Sequence, residues 1–336
     1  MAFSAAIFGL AGPQLTASER ALFKTADPWG FILFQRNCVS RGQVRALTDE
    51  LRALTSRTEL PILIDEEGGR VQRLKPPEWR VRPPMRVFGK LYEIDRGRGL
   101  EAAELNARLI AEDLAELGIT VDCVPCLDVP VPGSHAIIGD RAFGSDPNLV
   151  AALGLAVAEA VTAAGILPVI KQIPGHGRAT LDTHEALPRV LTNRAELSRT
   201  DFAPFRALKD QPMAMTAHVV FESVDADLCA TLSAKLIADV IRGEIGFDGL
   251  LMSDDLSMNA LQGTLRDRAA RALEAGCDVA LHCNGKLAEM EEIAKTVPRL
   301  SGKAKQRSDA TVLLLKGQRN TVDVAAIERR LQELLA

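Results

Sequence analysis

Short apolar runs alternate with longer amphipathic stretches along almost the whole chain. Eight runs cover residues 5–10, 30–34, 60–64, 120–127, 165–171, 213–219, 249–253 and 278–282. The stretches between them with helical spacing cover 16–26, 40–55, 100–117, 147–164, 197–209, 233–244 and 265–275. This alternation is typical of parallel β-sheets, and eight units are what a closed barrel requires. The sequence therefore predicts an α/β protein, a single (β/α)8 barrel of the TIM type, formed by residues 1–336 as one domain.

Local signals refine this prediction. Thr16 and Glu19 have the spacing of a helix capping box. Residues 73–98 are rich in Pro and Arg and are predicted to form a long loop on the active face of the barrel. The segment 322–336 is predicted to be an amphipathic helix that packs on the barrel through one side, which carries Ala325, Leu331, Leu334 and Leu335.

Charge and hydropathy argue against several classes of partner. The net charge of -4 offers no basic face for a phosphate backbone, so nucleic acid is not expected to bind. No apolar run reaches the roughly 18 residues of a membrane span, and no basic segment precedes the apolar N-terminus. The six cysteines have no disulfide-like spacing and are expected to be reduced. We therefore expect a cytoplasmic protein without a membrane partner. Its oligomeric state is not readable, although a monomer is favoured.

Ionisable residues follow several of the apolar runs directly. Asp65 follows the third run, Lys171 ends the fifth, and Asp254 and Asp255 follow the seventh. In a barrel these ends meet on one face, where active sites lie. Asp182 and His184, in the loop after Lys171, are spaced so that the carboxylate can orient the imidazole for proton transfer. One of the carboxylates after the seventh run could serve as a nucleophile.

Four blocks of sequence resemble the signatures of glycoside hydrolase family 3, in its single-domain bacterial β-N-acetylglucosaminidase branch. They are DEEGGRVQR at 65–73, IGDRAF at 138–143, PGHG at 174–177 with DTH at 182–184, and SDDLSM at 253–258. The resemblance implies a retaining mechanism in which Asp254 is the nucleophile and His184 is the general acid and base, oriented by Asp182. It also implies a set of sugar-binding residues: Asp65, Arg73, Arg141, Lys171 and Gln172.

One of these positions departs from the family pattern. Gln172 stands where the family usually has histidine, and an amide can donate a hydrogen bond but cannot carry charge. The implied substrate is a terminal β-linked N-acetylglucosamine on a muropeptide fragment in cell-wall recycling. The low aromatic content of 4% favours a short substrate cut from its end, because few rings are available for stacking. No cofactor and no metal are implied, and no phosphate-loop or dinucleotide motif occurs.

Several residues have a structural alternative beside the functional one. Asp255 can cap a helix starting after it, and Glu66 and Glu67 can pair with Arg70. His176 is expected to shape its loop. For His218, the sequence supports a substrate contact and a place in a buried network equally. The loop 174–188 is expected to move when substrate binds.

Other functions remain open from the sequence. A metal-dependent barrel hydrolase could use ligands drawn from one face: His176, His184, His218, Asp254 and Asp255. A sugar-binding barrel without turnover is a second alternative. Within the family, another β-glycosidase specificity is possible. A phosphorylase is also possible, because a histidine acid/base adds no second negative charge to repel phosphate.

Overall fold

The computed structural model describes residues 2–183, 185–317 and 322–336. Its strands in chain order are β1 (Ser4–Gly9), β2 (Pro28–Leu33), β3 (Ile62–Ile64), β4 (Val121–Asp122), β5 (Leu167–Ile173), β6 (Arg189–Val190), β7 (Met213–Thr216), β8 (Val220–Phe221), β9 (Leu250–Asp255) and β10 (Val279–His282). All of them except β6 and β8 close into one parallel barrel, in which β10 pairs with β1. The predicted (β/α)8 barrel is therefore confirmed. That residues 1–336 form a single domain stays a prediction.

Helices surround this barrel. They are α1 (Ala17–Ala26), α2 (Arg41–Thr55), α3 (Met85–Ile94), α4 (Arg96–Glu116), α5 (Pro147–Ala163), α6 (Arg194–Arg199), α7 (Phe202–Ala207), α8 (Ala234–Leu236), α9 (Leu265–Ala275), α10 (Leu287–Ala294), α11 (Gly302–Leu314) and α12 (Val324–Leu335). A π-helix, Ile237–Glu244, continues α8 directly. The capping box of Thr16 and Glu19 forms as predicted. Within the described ranges, none of the helices combines the length and the hydropathy needed to cross a bilayer.

Alternate residues of each strand supply two apolar layers. Ile7 and Leu63 belong to the layer that fills the barrel, whereas their neighbours Phe8 and Ile64 pack between the sheet and the helices. This period of two follows from the pleat of a strand. Both faces of the sheet are therefore buried, and polar side chains are left to the strand ends.

Some predicted boundaries were wrong for local reasons. The run 120–127 forms a strand only at Val121–Asp122, because the chain turns there and the Val124 N–H donates to the Asp122 carbonyl oxygen instead of to a neighbouring strand. The segment 197–209 divides into α6 and α7, since Pro204 cannot donate to the carbonyl of Thr200. Part of the predicted loop 73–98 is helical, forming α3 and the start of α4. The sequence also did not predict α10, α11 or the β6–β8 pair.

The terminal helix α12 packs against α4 and buries Leu331 and Leu334, as predicted, while Ala325 is exposed and was wrongly assigned to the contact. Glu328 of α12 forms ion pairs with Arg80 and Arg82 at 2.9 and 3.1 Å. These arginines belong to the connection between β3 and α3. The terminal helix is thus tied to the segment that also carries Arg73.

The buried side chain of Glu66 also holds the connection between β3 and α3. Its Oε2 accepts hydrogen bonds from the backbone N–H groups of Arg73 at 2.7 Å and Leu74 at 3.1 Å. The side chain is 2% exposed, and burial raises the pKa of Glu66 from 4.5 to about 7. A buried carboxyl group that titrates near neutrality therefore holds the backbone beside Arg73.

This titration predicts a pH-dependent stability. Because the pKa of Glu66 is higher in the folded chain than in the unfolded chain, its contribution is fully present below pH 4.5 and is lost as the pH rises through about 7. Urea unfolding of wild type and Glu66→Gln between pH 4 and pH 8 measures this loss. The wild type should lose up to about 3 kcal/mol relative to the variant over this range. The same substitution at the exposed Glu104 is the control, and parallel pH curves for wild type and Glu66→Gln would contradict the prediction.

Candidate active site

A cavity of about 320 Å³ opens at the carboxyl ends of the barrel strands. Residues from six different barrel strands or the turns directly after them line it: Phe34, Asp65, Lys171, Met215, Asp254 and Leu281. Parallel strands bring these ends together although they are far apart in sequence. The structure thus gathers most of the predicted site residues around one cavity: Asp65, Arg73, Arg141, Lys171, Gln172 and Asp254.

Lys171 is the centre of a buried charge cluster in the cavity wall. Its Nζ lies 2.7 Å from Asp65 Oδ1 and 2.7 Å from Glu67 Oε1. Asp65 Oδ2 accepts a hydrogen bond from Arg73 at 3.1 Å. Glu67 forms a bidentate pair with Arg141 at 2.9 and 2.8 Å. Five side chains therefore alternate in charge along one continuous chain of contacts.

These pairings decide which groups are charged. Burial opposes ionisation of both carboxyl groups, but the positive charges of Lys171 and Arg73 outweigh it and lower the pKa of Asp65. Arg141 and Lys171 lower the pKa of Glu67 in the same way. Burial likewise disfavours the charged form of Lys171, yet the two carboxylates raise its pKa. The cluster is thus fully ionised at neutral pH, and Asp65 keeps lone pairs on both oxygens for hydroxyl donors.

Asp254 lies near the end of β9 with its carboxylate held from two sides. Its Oδ1 accepts from the backbone N–H of Asp255 at 2.8 Å, and its Oδ2 accepts from Gln172 Nε2 at 2.7 Å. The side chain lines the cavity although the residue is only 5% exposed. A carboxylate fixed in this way presents its remaining lone pairs to a ligand in the cavity, which is what a nucleophile requires.

Asp255 has a different task from its neighbour. Its Oδ1 accepts from the backbone N–H groups of Ser257 and Cys283, and its Oδ2 accepts from the Ser257 hydroxyl. No helix starts directly after it, since α9 begins at Leu265. The predicted helix cap is therefore wrong. Asp255 instead closes a turn and joins it to the end of β10.

The PGHG segment is packed tightly against the connection after β4. Asp128 Oδ1 accepts from the backbone N–H of His176 at 2.6 Å. A Cβ added to Gly177 would lie 2.1 Å from the carbonyl oxygen of Val129, so only glycine fits there. Burial lowers the pKa of His176, although the charge of Asp128 opposes it. His176 is 2% exposed and lines the cavity. Its backbone therefore shapes the loop, and its imidazole ring forms part of the cavity wall.

The loop after this segment reaches the cavity edge. Thr183 lines the cavity, and its carbonyl accepts from the backbone N–H of Ala260 at 3.1 Å. The carbonyl of Asp182 accepts from the N–H groups of Glu185 and Ala186, each at 2.9 Å. His184 lies outside the described residues. Its predicted role as acid and base, and that of Asp182 as its partner, stay predictions.

His218 belongs to a buried hydrogen-bond network. Its Nδ1 lies 2.7 Å from Thr231 Oγ1, and its Nε2 lies 3.0 Å from the carbonyl oxygen of Asp255. Both ring nitrogens are thus engaged by protein groups. Across the described ranges, no three His, Cys, Asp or Glu side chains are grouped so that they could hold a metal ion. The metal-ligand set considered from the sequence also includes His184, which is not described.

Two further acidic residues matter more than the sequence suggested. Glu67 was predicted to pair with Arg70, but it pairs with Arg141 and Lys171, and Arg70 instead pairs with Asp140 at 3.2 Å. Asp128, directly after the fourth apolar run, accepts from the backbone N–H of His176 and so holds the PGHG segment. Position provided a signal for Glu67, because it lies two residues after Asp65 at the same strand end. The ion pairs themselves depend on distant segments and have no local signal.

Comparison with known proteins agrees with this geometry. Residues 10–314 match the model of the Glycosyl hydrolase family 3 N terminal domain. The beta-hexosaminidase of Chromobacterium violaceum is 38% identical over 311 residues, which cover 88% of this chain and 86% of that protein. The beta-hexosaminidase of Alkalilimnicola ehrlichii is 40% identical over 282 residues, covering 83% and 80%.

Solved structures give the same result. NagZ from Neisseria gonorrhoeae in complex with N-trifluoroacetyl-D-glucosamine superposes with a TM-score of 0.87 at 30% identity, covering 100% of this chain and 99% of that one. A glycoside hydrolase family 3 beta-N-acetylglucosaminidase from Paenibacillus sp. str. FPU-7 superposes with a TM-score of 0.86 at 31% identity, covering 98% of this chain and 67% of that one. The four family signatures come from different parts of the barrel, and their carboxylates meet at one cavity. The chain therefore belongs to glycosyl hydrolase family 3.

Proposed function

We propose that this glycoside hydrolase, a β-N-acetylhexosaminidase, is a retaining exo-β-N-acetylglucosaminidase that removes terminal β-linked N-acetylglucosamine from muropeptide fragments. The observation that carries the proposal is the arrangement of Asp254 and Asp65 in one cavity. Asp254 is held as a nucleophile would be, and Asp65 is ionised and can accept from sugar hydroxyls. The related proteins, a beta-hexosaminidase and a beta-N-acetylglucosaminidase, support this choice of sugar.

The proposed reaction has two displacement steps. Asp254 attacks the anomeric carbon while His184 protonates the leaving oxygen, so that a covalent glycosyl–enzyme forms with inverted configuration. His184 then takes a proton from water, which attacks the same carbon and releases the sugar with its original configuration. Asp182 stabilises the imidazolium form of His184 in the first half of the cycle.

The cavity favours one terminal sugar over a long chain. Its volume of about 320 Å³ lies at the small end of the range of roughly 300–1,000 Å³ for small-molecule pockets. Among the described residues that line it, Phe34 is the one aromatic side chain. A polysaccharide cleft would need a series of stacking rings. The ligand of the Neisseria gonorrhoeae relative is also a single amino sugar.

The first prediction of this proposal concerns the nucleophile. Asp254→Ala should slow hydrolysis of 4-nitrophenyl β-N-acetylglucosaminide by roughly 10³-fold or more, because the covalent step is lost. Azide can enter the vacated space and should restore turnover, giving the α-glycosyl azide by a single displacement. Wild type should cleave this substrate, leave the β-glucoside intact and be insensitive to chelators.

Asp210→Asn, an exposed change at an 87% exposed side chain, is the matched control and should behave as wild type. Activity that survives Asp254→Ala would contradict the assignment of the nucleophile. Loss of activity with a chelator would instead favour the metal-dependent alternative.

The second prediction concerns the acceptor. The cations that line the described part of the cavity are already paired: Arg70 with Asp140, Arg73 with Asp65, Arg141 with Glu67, and Lys171 with Asp65 and Glu67. A phosphate dianion would have to compete for them, so water is the expected acceptor. Adding phosphate should not increase turnover or yield N-acetylglucosamine 1-phosphate, as followed by NMR. Accumulation of this product would identify a phosphorylase.

The biological setting is part of the same proposal. A terminal N-acetylglucosamine on 1,6-anhydro-N-acetylmuramic acid, with or without peptide, is the proposed natural substrate, and cell-wall recycling in the cytoplasm is the proposed process. The enzyme is proposed to act as a monomer. The loop 174–188 is proposed to bring His184 to the glycosidic oxygen when the sugar binds. Release of N-acetylglucosamine from purified anhydro-muropeptides, followed by mass spectrometry, tests the substrate directly.

A further inference from the structure

The side-chain amide of Gln172 has two different environments at its two ends. Nε2 donates to Asp254 Oδ2 at 2.7 Å, and a carboxylate can only accept, so this end must be the NH2 group. Oε1 is therefore fixed as the opposite end. It is buried and has no hydrogen-bond partner among the described residues. Gln172 lines the cavity together with Asp254, and the two residues are 6% and 5% exposed.

An unpartnered buried acceptor needs an explanation, because such groups are almost always satisfied in native proteins. The main chain of Gln172 lies in β5 and its Nε2 is hydrogen-bonded to Asp254, so the amide is held at the cavity wall. A ligand that brings an O–H or N–H group to the wall would satisfy Oε1. Sugars and acetamido groups carry donors of both kinds.

We propose that Gln172 is a positioning residue that couples sugar binding to the orientation of the nucleophile. Nε2 holds the Asp254 carboxylate, and Oε1 accepts a hydrogen bond from a hydroxyl or amide donor of the bound sugar. A donor at Oε1 locks the amide plane, and the locked plane fixes Asp254 Oδ2. Because an amide does not titrate, this coupling works equally at every pH of turnover. The inference rests on the proposed role of Asp254 as nucleophile.

The Gln172 amide is uncharged, whereas many of the side chains around it in the cavity wall are charged or titratable. The other titratable or charged side chains that line the described cavity are Asp65, Arg70, Arg73, Arg141, Lys171, His176, Asp255 and Cys283. Asp128 lies behind, where its Oδ1 is 3.4 Å from the backbone nitrogen of Gln172. All of these groups stay in place when Gln172 alone is changed. A new pH dependence in a variant at this position is therefore attributable to the new side chain facing Asp254.

Two substitutions by side chains similar in size to glutamine test the two hydrogen bonds of the amide. Gln172→Met keeps the length of the side chain and removes both hydrogen bonds. Gln172→Glu keeps both while the new carboxyl is protonated, since its O–H can donate to Asp254 and its carbonyl can accept. Facing Asp254 in a buried place, this carboxyl should have a raised pKa. Once it ionises, it can no longer donate and it repels Asp254.

The kinetic measurement is the first-turnover release of dinitrophenolate from 2,4-dinitrophenyl β-N-acetylglucosaminide, which needs little help from an acid catalyst and so reports nucleophilic attack. Gln172→Met should lower this rate on the order of 100-fold at every pH. Gln172→Glu should approach the wild-type rate in acid and lose it with rising pH along a one-proton limb absent from wild type. Gln306→Met and Gln306→Glu, at an exposed glutamine of α11, are the matched controls.

A raised KM with an unchanged first-turnover rate in Gln172→Met would overturn the inference, because it would reduce Gln172 to a substrate contact. A second measurement does not depend on activity. In protein labelled with 15N-glutamine, the Gln172 side-chain protons, assigned by their loss in Gln172→Met, should shift and exchange faster in Asp254→Ala. Unchanged signals would overturn the inference as well. If wild type cleaves no N-acetylglucosaminide, the proposed function fails alone, and the NMR comparison still shows whether Gln172 holds the Asp254 carboxylate.

Discussion

The contacts of Lys171 with Asp65 and Glu67 are the interaction on which the site depends. A lysine that is 2% exposed can stay charged only if carboxylates replace its hydration, and two do so at 2.7 Å. These carboxylates follow β3, whereas Lys171 belongs to β5 and Arg141 to the connection after β4. The ammonium group thus links the ends of β3 and β5, and Glu67 extends the link to Arg141 after β4. The positive charge of Lys171 also keeps Asp65 ionised, and the contact between them holds the Asp65 side chain at the cavity.

Strand β5 links this charge cluster to the candidate nucleophile Asp254. Lys171 contacts the carboxylates on one side, and the next residue, Gln172, contacts Asp254 on the other. The chain then passes into the PGHG segment, which Asp128 and Val129 hold closely. Binding groups, the candidate nucleophile and the start of the loop to His184 are therefore positioned by one short stretch of chain. Small shifts in β5 would be felt by all three.

Much of this was predictable from the sequence, and the exceptions have physical causes. The barrel followed from eight apolar runs, because burial on both faces of a parallel strand leaves a pattern that does not depend on partners. The grouping of Asp65, Lys171 and Asp254 followed from their places at strand ends. The pairing of Glu67 with Arg141 could not be predicted, since Arg70 is much nearer in sequence and only the folded chain shows which arginine reaches it. Helix α3 was missed because the prolines and arginines in and around it conceal a short apolar face formed by Met85, Phe88 and Leu91.

The ion pairs of Glu328 with Arg80 and Arg82 have a consequence for how this enzyme can change. They connect a helix on the outside of the barrel to the segment that delivers Arg73 to the cavity. Substitutions in α12 can therefore adjust the position of Arg73 without altering any of the described side chains that line the cavity. In a laboratory evolution experiment selecting for a new glycoside, beneficial mutations should accumulate in this remote helix as well as around the cavity. A library restricted to cavity-lining codons would miss this route to altered specificity.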